Sequence, residues 1–312
     1  MTSLAFTRSG TGTPLVLLHG LGSSRRAWDP VVPALADHFD VIAVDLPGFG
    51  ESAPLPLEAE PSPATLAAAV AGLLDDLGVT AAHLAGNSLG GWVALELAAI
   101  RPAAALTLLS PAGLWHGNVP RYQQASLRAT RWFARHAGGF LSRLVSYRLG
   151  RILVLSQTHG RPARLTSEYA RTAIRAMGTS PGFDAALRAT ATRGYLATAP
   201  VSAPVTVAFG SRDRLLLRRQ SRHLDQLPPS TRVEVLPGCG HVPMADDPDA
   251  VTALIIQSAA RAISAEHAWA GVLPERPDGP SGRLYPARWP FGPVVRRAAG
   301  AYLRGARCLL GH

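Results

Sequence analysis

The chain has 312 residues, 47% of them hydrophobic and 17% charged. That is enough for one large domain with an insertion or for two ordinary domains, and it excludes a disordered, collagen-like or disulfide-built chain. Its 31 basic residues are all arginine and outnumber 21 acidic ones, for a net charge of +10; the two cysteines, Cys239 and Cys308, are too few to indicate an oxidising compartment.

Taken in chain order, short apolar runs alternate with helical patterns. A strand over 4–8 is followed by one at Leu15–Leu18, a helix over 27–36 and a strand at Val41–Val44. Then come a helix over 63–77, a strand over 82–85, a helix over 90–100 and a strand over 105–109. Residues 115–200 break this alternation: Leu127, Trp132, Leu141, Leu144, Val145 and the run 152–155 predict helices studded with arginine and no parallel strand. Alternation resumes with strands over 205–209 and 233–236, a helix between them over 218–226, and a last helix from Pro248 to about Glu266. Pro63 and Pro248 suit a helix's first turn, where a missing N–H costs nothing. Continuous apolar strands predict a parallel sheet covered on both faces, hence a doubly wound α/β architecture. The expected divisions are 1–114 and 201–267 for the two parts of this core, 115–200 for a helical insertion and 268–312 for an Arg/Pro-rich tail, with a short amphipathic helix over 294–310.

Charge follows these divisions. Residues 1–114 carry 4 arginines and 10 acids, residues 115–200 carry 13 and 2, residues 201–267 carry 7 of each, and residues 268–312 carry 7 and 2. The basic insertion lacks zinc spacing, aromatic-glycine RNA signatures or a helix-turn-helix, so no nucleic-acid partner is expected. Three explanations remain: a solvated face in a lysine-free chain, attraction of anionic substrates, or weak docking on acidic lipid headgroups aided by Trp132, Phe133 and the tail. No run approaches the ~18 apolar residues of a membrane span, and the first apolar run, 14–18, is too short for a secretory h-region. The expected compartment is the cytoplasm. Nothing in the residues specifies an oligomeric state.

The sharpest chemical signal is Gly86-Asn87-Ser88-Leu89-Gly90-Gly91, between a strand and a helix. Residues without a side chain leave room for a tight strand-to-helix turn, and a serine there meets the free N–H groups of a helix start. Serine needs a base, and the base an orienting carboxylate. Asp213 follows the strand over 205–209, and His241 follows the strand over 233–236, both at strand ends where sites of open α/β sheets collect.

These residues resemble the α/β-hydrolase superfamily in its lid-bearing branch. The resemblance also rests on Leu17-Leu18-His19-Gly20-Leu21-Gly22, which is similar to that family's oxyanion loop, on Asp45-Leu46-Pro47-Gly48-Phe49-Gly50-Glu51-Ser52, and on Gly240-His241-Val242-Pro243. It implies an α/β-hydrolase fold with a helical lid at 115–200, Ser88 as nucleophile, His241 as general base and acid, and Asp213 as orienting acid. It also implies an oxyanion hole from the backbone N–H groups of Leu21 and Leu89. No metal or organic cofactor is implied. The expected substrate is a small-molecule carboxylic ester, cleaved through an acyl-serine. The alternatives are carbon–carbon hydrolysis of a dienoate-type diketone, to which Asn87 points, cofactor-free perhydrolysis or haloperoxidation, and a hydrolase-fold binding protein. Only one strand precedes Leu15, where the family commonly has two, so the sheet is expected to lack its first edge strand.

Other polar and aromatic residues have simpler expectations. Asp45 is expected to stabilise a turn, His19 to brace the oxyanion loop, and His83 to sit at a strand edge. Nothing beside Cys239 suggests a lowered thiol pKa. Trp28, Trp115 and Trp132 are candidates for a pocket wall, with packing as the commoner role of such residues.

Overall fold

A computed structural model describes residues 4–217 and 219–270, with side chains to residue 261. Residues 1–263 make one compact unit. The tail expected from 268 onward lies outside the described residues beyond Ala270, as does the helix expected over 294–310. No helix among the described residues is long and apolar enough to cross a membrane.

Seven strands form one sheet: β1 (Phe6–Ser9), β2 (Pro14–Leu18), β3 (Asp40–Val44), β4 (Ala82–Asn87), β5 (Ala103–Leu109), β6 (Val205–Gly210) and β7 (Arg232–Leu236). Their order is β1-β3-β2-β4-β5-β6-β7, with β1 antiparallel to β3 and every other pairing parallel. Among the described residues only β1 precedes β2, as the sequence predicts. Side chains alternate across the pleat, so Val16 and Leu18 enter one core while Leu15 and Leu17 enter the other.

The first core is covered by α2 (Pro63–Asp76) and α3 (Leu89–Ile100), which contribute Leu66, Val70, Leu74, Val93 and Leu97. The second is covered by α1 (Val32–Ala36) and α9 (Pro248–Ala270), through Leu35, Val251, Leu254 and Ile255. Helices on both faces make the sheet doubly wound. The start of α2 follows from its residues: the Ser62 hydroxyl accepts the Thr65 N–H and Pro63 opens the first turn.

Between β5 and β6 lie α4 (Arg121–His136), α5 (Gly138–Leu144), α6 (Arg148–Leu155), α7 (Ser167–Thr179) and α8 (Phe183–Ala189). Ala134, Val145, Leu155, Leu165, Ala170 and Ile174 form a small core of their own, whereas Phe183, Ala186 and Leu187 of α8 join the first main core.

Three local expectations are corrected. The helix expected over 27–36 is split into a 3-10 turn at Arg25–Trp28 and α1, because Pro30 lies between them and cannot donate a helical hydrogen bond. The helix expected over 218–226 does not form among the described residues 219–226, which run through turns and irregular chain. There the His223 N–H donates to Leu114 C=O rather than along its own segment, and the buried Ser221 hydroxyl takes the Gln123 amide, so tertiary partners override helix propensity. Finally, the run over 233–236 is not doubly buried: Val233 and Val235 are half exposed, and β7 is the last strand of the sheet among the described residues.

Candidate active site

The carboxyl ends of β4, β6 and β7 bring the chemical groups together. At the end of β4 the chain turns through Ser88 into α3, with Ser88 at φ 55° and ψ −117°. A side chain at positive φ costs about 1–3 kcal/mol and persists only where its surroundings fix it. They do so here: the Ser88 N–H donates to Leu109 C=O, and its own C=O accepts from Gly91, Trp92 and Ala112. A Cβ at Gly90 would collide with Leu18 C=O, so glycine is required where the new helix crosses β2.

The loops after β6 and β7 pack backbone to backbone. A Cβ at Gly210 would strike Gly240 C=O, and the Arg212 N–H donates to Cys239 C=O at 2.8 Å. This closeness aligns Asp213 with His241, whose Nδ1 lies 2.9 Å from Asp213 Oδ2. The other carboxylate oxygen accepts the Leu215 and Leu216 N–H groups, each at 2.9 Å. Both side chains are almost wholly buried, at 4% and 0% exposure. Burial pushes the Asp213 carboxyl up, but the nearby His241, its hydrogen bond and the two amides outweigh that and hold it below its usual value. A carboxylate so placed fixes the ring with Nδ1 protonated and Nε2 free to accept a proton.

Ser88 and His241 are linked through Asn87. Its amide donates to Leu109 C=O at 2.9 Å and to His241 C=O at 2.8 Å, tying the turn at Ser88 to the histidine loop. Among the described residues the Ser88 hydroxyl makes no hydrogen bond, which is common before substrate draws such groups together. Leu21 and Leu89 line the same cleft as Ser88, and neither N–H has an acceptor among the described residues. His19 braces this loop: its buried ring donates from Nδ1 to Gly20 C=O and accepts the Leu46 N–H at Nε2. Burial lowers its pKa and favours that neutral form.

The cleft at Ser88 is small, at about 40 Å³. Leu21, Leu89, Ala112, Leu215 and Leu216 wall it from the core; Trp115, Val119, Gln123, Leu127, Leu187 and Thr190 wall it from the helical segment. Of the three tryptophans expected as pocket walls or packing, Trp115 lines the cleft, Trp28 is buried in the second core and Trp132 is exposed on α4.

Asp45 serves its turn. It pairs with Arg25 and accepts the Arg25 and Glu51 N–H groups. His83 is not exposed at an edge but buried against Phe39, its pKa pushed down to about 4 by burial. Burial pushes the Cys239 thiol up to about 11, so it stays protonated at neutral pH.

Sequence reasoning missed Asp246. Its buried carboxylate collects the Gly240, Gly160 and Arg161 N–H groups at 2.7–2.8 Å, pinning the histidine loop to the helical segment. Nor was His159 foreseen; it is buried nearby against Thr158 and Tyr169, its pKa pushed down to about 4 by burial.

A doubly wound sheet that presents a serine at a strand–helix turn and a His–Asp pair on the neighbouring strand-end loops defines a hydrolase of the α/β type. The chain belongs to the alpha/beta hydrolase family, whose model matches residues 15–254, and it is an enzyme of that family. It is 33% identical over 267 residues to the pimeloyl-[acyl-carrier protein] methyl ester esterase of Aeromonas hydrophila, covering 79% of this chain and 95% of that protein. It is 43% identical over 120 residues to the dihydrolipoyllysine-residue acetyltransferase component of the acetoin cleaving system of Pseudomonas putida, a match to 38% of this chain and 32% of that protein's length. Among solved structures, a thermophilic esterase from Thermogutta terrifontis superposes with a TM-score of 0.67 at 26% identity, covering 83% of this chain and 93% of the other.

Proposed function

We propose that the protein is a serine hydrolase that cleaves a small-molecule carboxylic ester through an acyl-serine intermediate. The Ser88 hydroxyl attacks the ester carbonyl while His241 Nε2 takes its proton, and Asp213 holds the imidazole and stabilises the imidazolium that forms. The carbonyl oxygen, now an anion, is received by the Leu21 and Leu89 N–H groups. Collapse breaks the carbon–oxygen bond, and His241 returns the proton to the departing alkoxide to release the alcohol. A water that His241 deprotonates then attacks the acyl-serine, releasing the carboxylic acid and restoring the Ser88 hydroxyl.

The observation that carries this reading is the buried His241–Asp213 pair beside a serine held at positive φ, with Asn87 tying the two together. The esterase relatives favour an ester as substrate. We read residues 115–200 as a lid, because they wall one side of the cleft at Ser88. Asn87 gives no support to carbon–carbon hydrolysis, since both of its amide hydrogens are committed to backbone carbonyls. Perhydrolysis uses the same groups and differs only in the second nucleophile.

A fluorophosphonate probe tests the nucleophile: it labels the native enzyme, and labelling that persists in Ser88→Ala overturns the assignment. A panel of p-nitrophenyl esters of increasing acyl length tests the substrate class, and failure to turn over any of them excludes the ester reading.

A further inference from the structure

The start of the helical segment meets the loop between β6 and β7 at a cluster of potential metal ligands. His116 Nε2 lies 3.0 Å from Asp225 Oδ1, and the His116 and His223 rings stack with centroids 3.9 Å apart and planes 21° from parallel. One ligand atom from each of His116, His223 and Asp225 can be chosen so that all three lie within 4.8 Å of one another. The backbone holds the two segments together at this point, for the His223 N–H donates to Leu114 C=O at 3.1 Å. A cavity of about 280 Å³ opens beside the cluster, with Arg193, Tyr195 and Gln226 among its walls.

We propose that His116, His223 and Asp225 bind a divalent transition-metal ion of the zinc, nickel or copper type, clamping the start of the helical segment to the core. The donor set supports this class. Two imidazoles and one carboxylate match the borderline preference of these ions, whereas magnesium and calcium prefer oxygen alone. Metal–nitrogen bonds of about 2.0–2.1 Å need donors that converge further than they do here. The His116 and Asp225 side chains are 67% and 54% exposed, so they can rotate inward without disturbing a core. With three protein ligands the ion keeps at least one open position for water, filled from the adjoining cavity.

The placement gives the ion a consequence. His116 follows Trp115, which lines both the cavity at the cluster and the cleft at Ser88. Fixing His116 to the β6–β7 loop therefore fixes one wall of the cleft. The ion takes no part in the proposed hydrolysis, and the clamp stands whether or not the substrate is an ester.

The test uses the full chain without a purification tag, stripped with a chelator and titrated calorimetrically with zinc chloride alone. The clamp predicts one saturable equivalent with a Kd on the order of micromolar and a rise in Tm on loading. It also predicts ligand-field absorption bands when cobalt replaces zinc. The His116→Ala/His223→Ala double variant should bind at least tenfold more weakly and lose both the Tm rise and the cobalt bands. His136→Ala, an exposed histidine outside the cluster, and Ser88→Ala should bind as the native chain does. Absence of saturable binding up to about 1 mM zinc overturns the proposal, and so does undiminished binding in a folded double variant.

Discussion

The core and the helical segment are built on opposite terms. In the core, five strands, β2 to β6, are buried almost throughout, and the groups that carry chemistry sit on backbone that tolerates few other residues. The helical segment has a small core of six buried residues, and no acid occurs from residue 97 to 167. Among the described residues, seven of the fourteen exposed large hydrophobic side chains fall between Trp132 and Leu153. The contrast separates two jobs. Under the proposed function, the core would fix where bonds are made and broken, and the segment would control what reaches them.

Mutations should therefore lose catalysis in the core and change selectivity in the segment. The largest effect is expected from Ser88→Ala, which should cut kcat by at least ~10⁴-fold with an unchanged circular dichroism spectrum. Asp213→Asn should come next, at about 10³–10⁴-fold in kcat, because the imidazole loses the group that sets its tautomer. The same residue has a pH signature. Its carboxyl sits below the usual value in the folded chain, so its stabilising contribution is present above the unfolded carboxyl value near pH 4 and fades as pH falls through the folded one. Thermal melts across that acid range should show a steeper loss for the native enzyme than for Asp213→Asn.

Asp246 joins the two regions and tests whether they are separable. Asp246→Ala leaves the Gly160, Arg161 and Gly240 N–H groups without their acceptor and should cost about 3 kcal/mol, lowering Tm by about 6–12 °C. Asp246→Asn, which keeps one acceptor oxygen, should recover part of that loss.

How much of this was legible in the sequence follows the same division. The strands, α2, α3 and the residues Ser88, Asp213 and His241 could be picked out because tight turns demand glycine and buried parallel strands demand continuous apolar runs. The segment over 218–226 was not, since its fate depends on Leu114 and Gln123, about a hundred residues away. Asp246, the His116–His223–Asp225 cluster and the tie that Asn87 makes to His241 escaped for the same reason: each depends on a partner distant in the chain. In the helical segment only composition and amphipathic spacing could be read, and these announce helices without saying which face meets the cleft.

Smaller effects belong to that segment. Leu187→Ala or Trp115→Ala enlarges the cleft wall and should shift kcat/KM toward longer acyl chains by about tenfold, with kcat on the shortest ester nearly unchanged. The smallest change in stability is expected on the outer face: Trp132→Ala with Phe133→Ala should stay within about 0.5 kcal/mol of the native chain. That face is arginine-rich and apolar, so the enzyme should sediment weakly with vesicles containing anionic lipid. The binding should fade with salt and with this double variant. Equal sedimentation with neutral vesicles would instead assign the charge to solvent alone.

The central claim, that Ser88 carries the acyl group between two chemical steps, can be observed directly. Enzyme quenched with acid during turnover of a p-nitrophenyl ester, then digested and weighed by mass spectrometry, should show one acyl group on the peptide containing Ser88. Continued ester turnover with no such adduct, or with the acyl group on another residue, would contradict it.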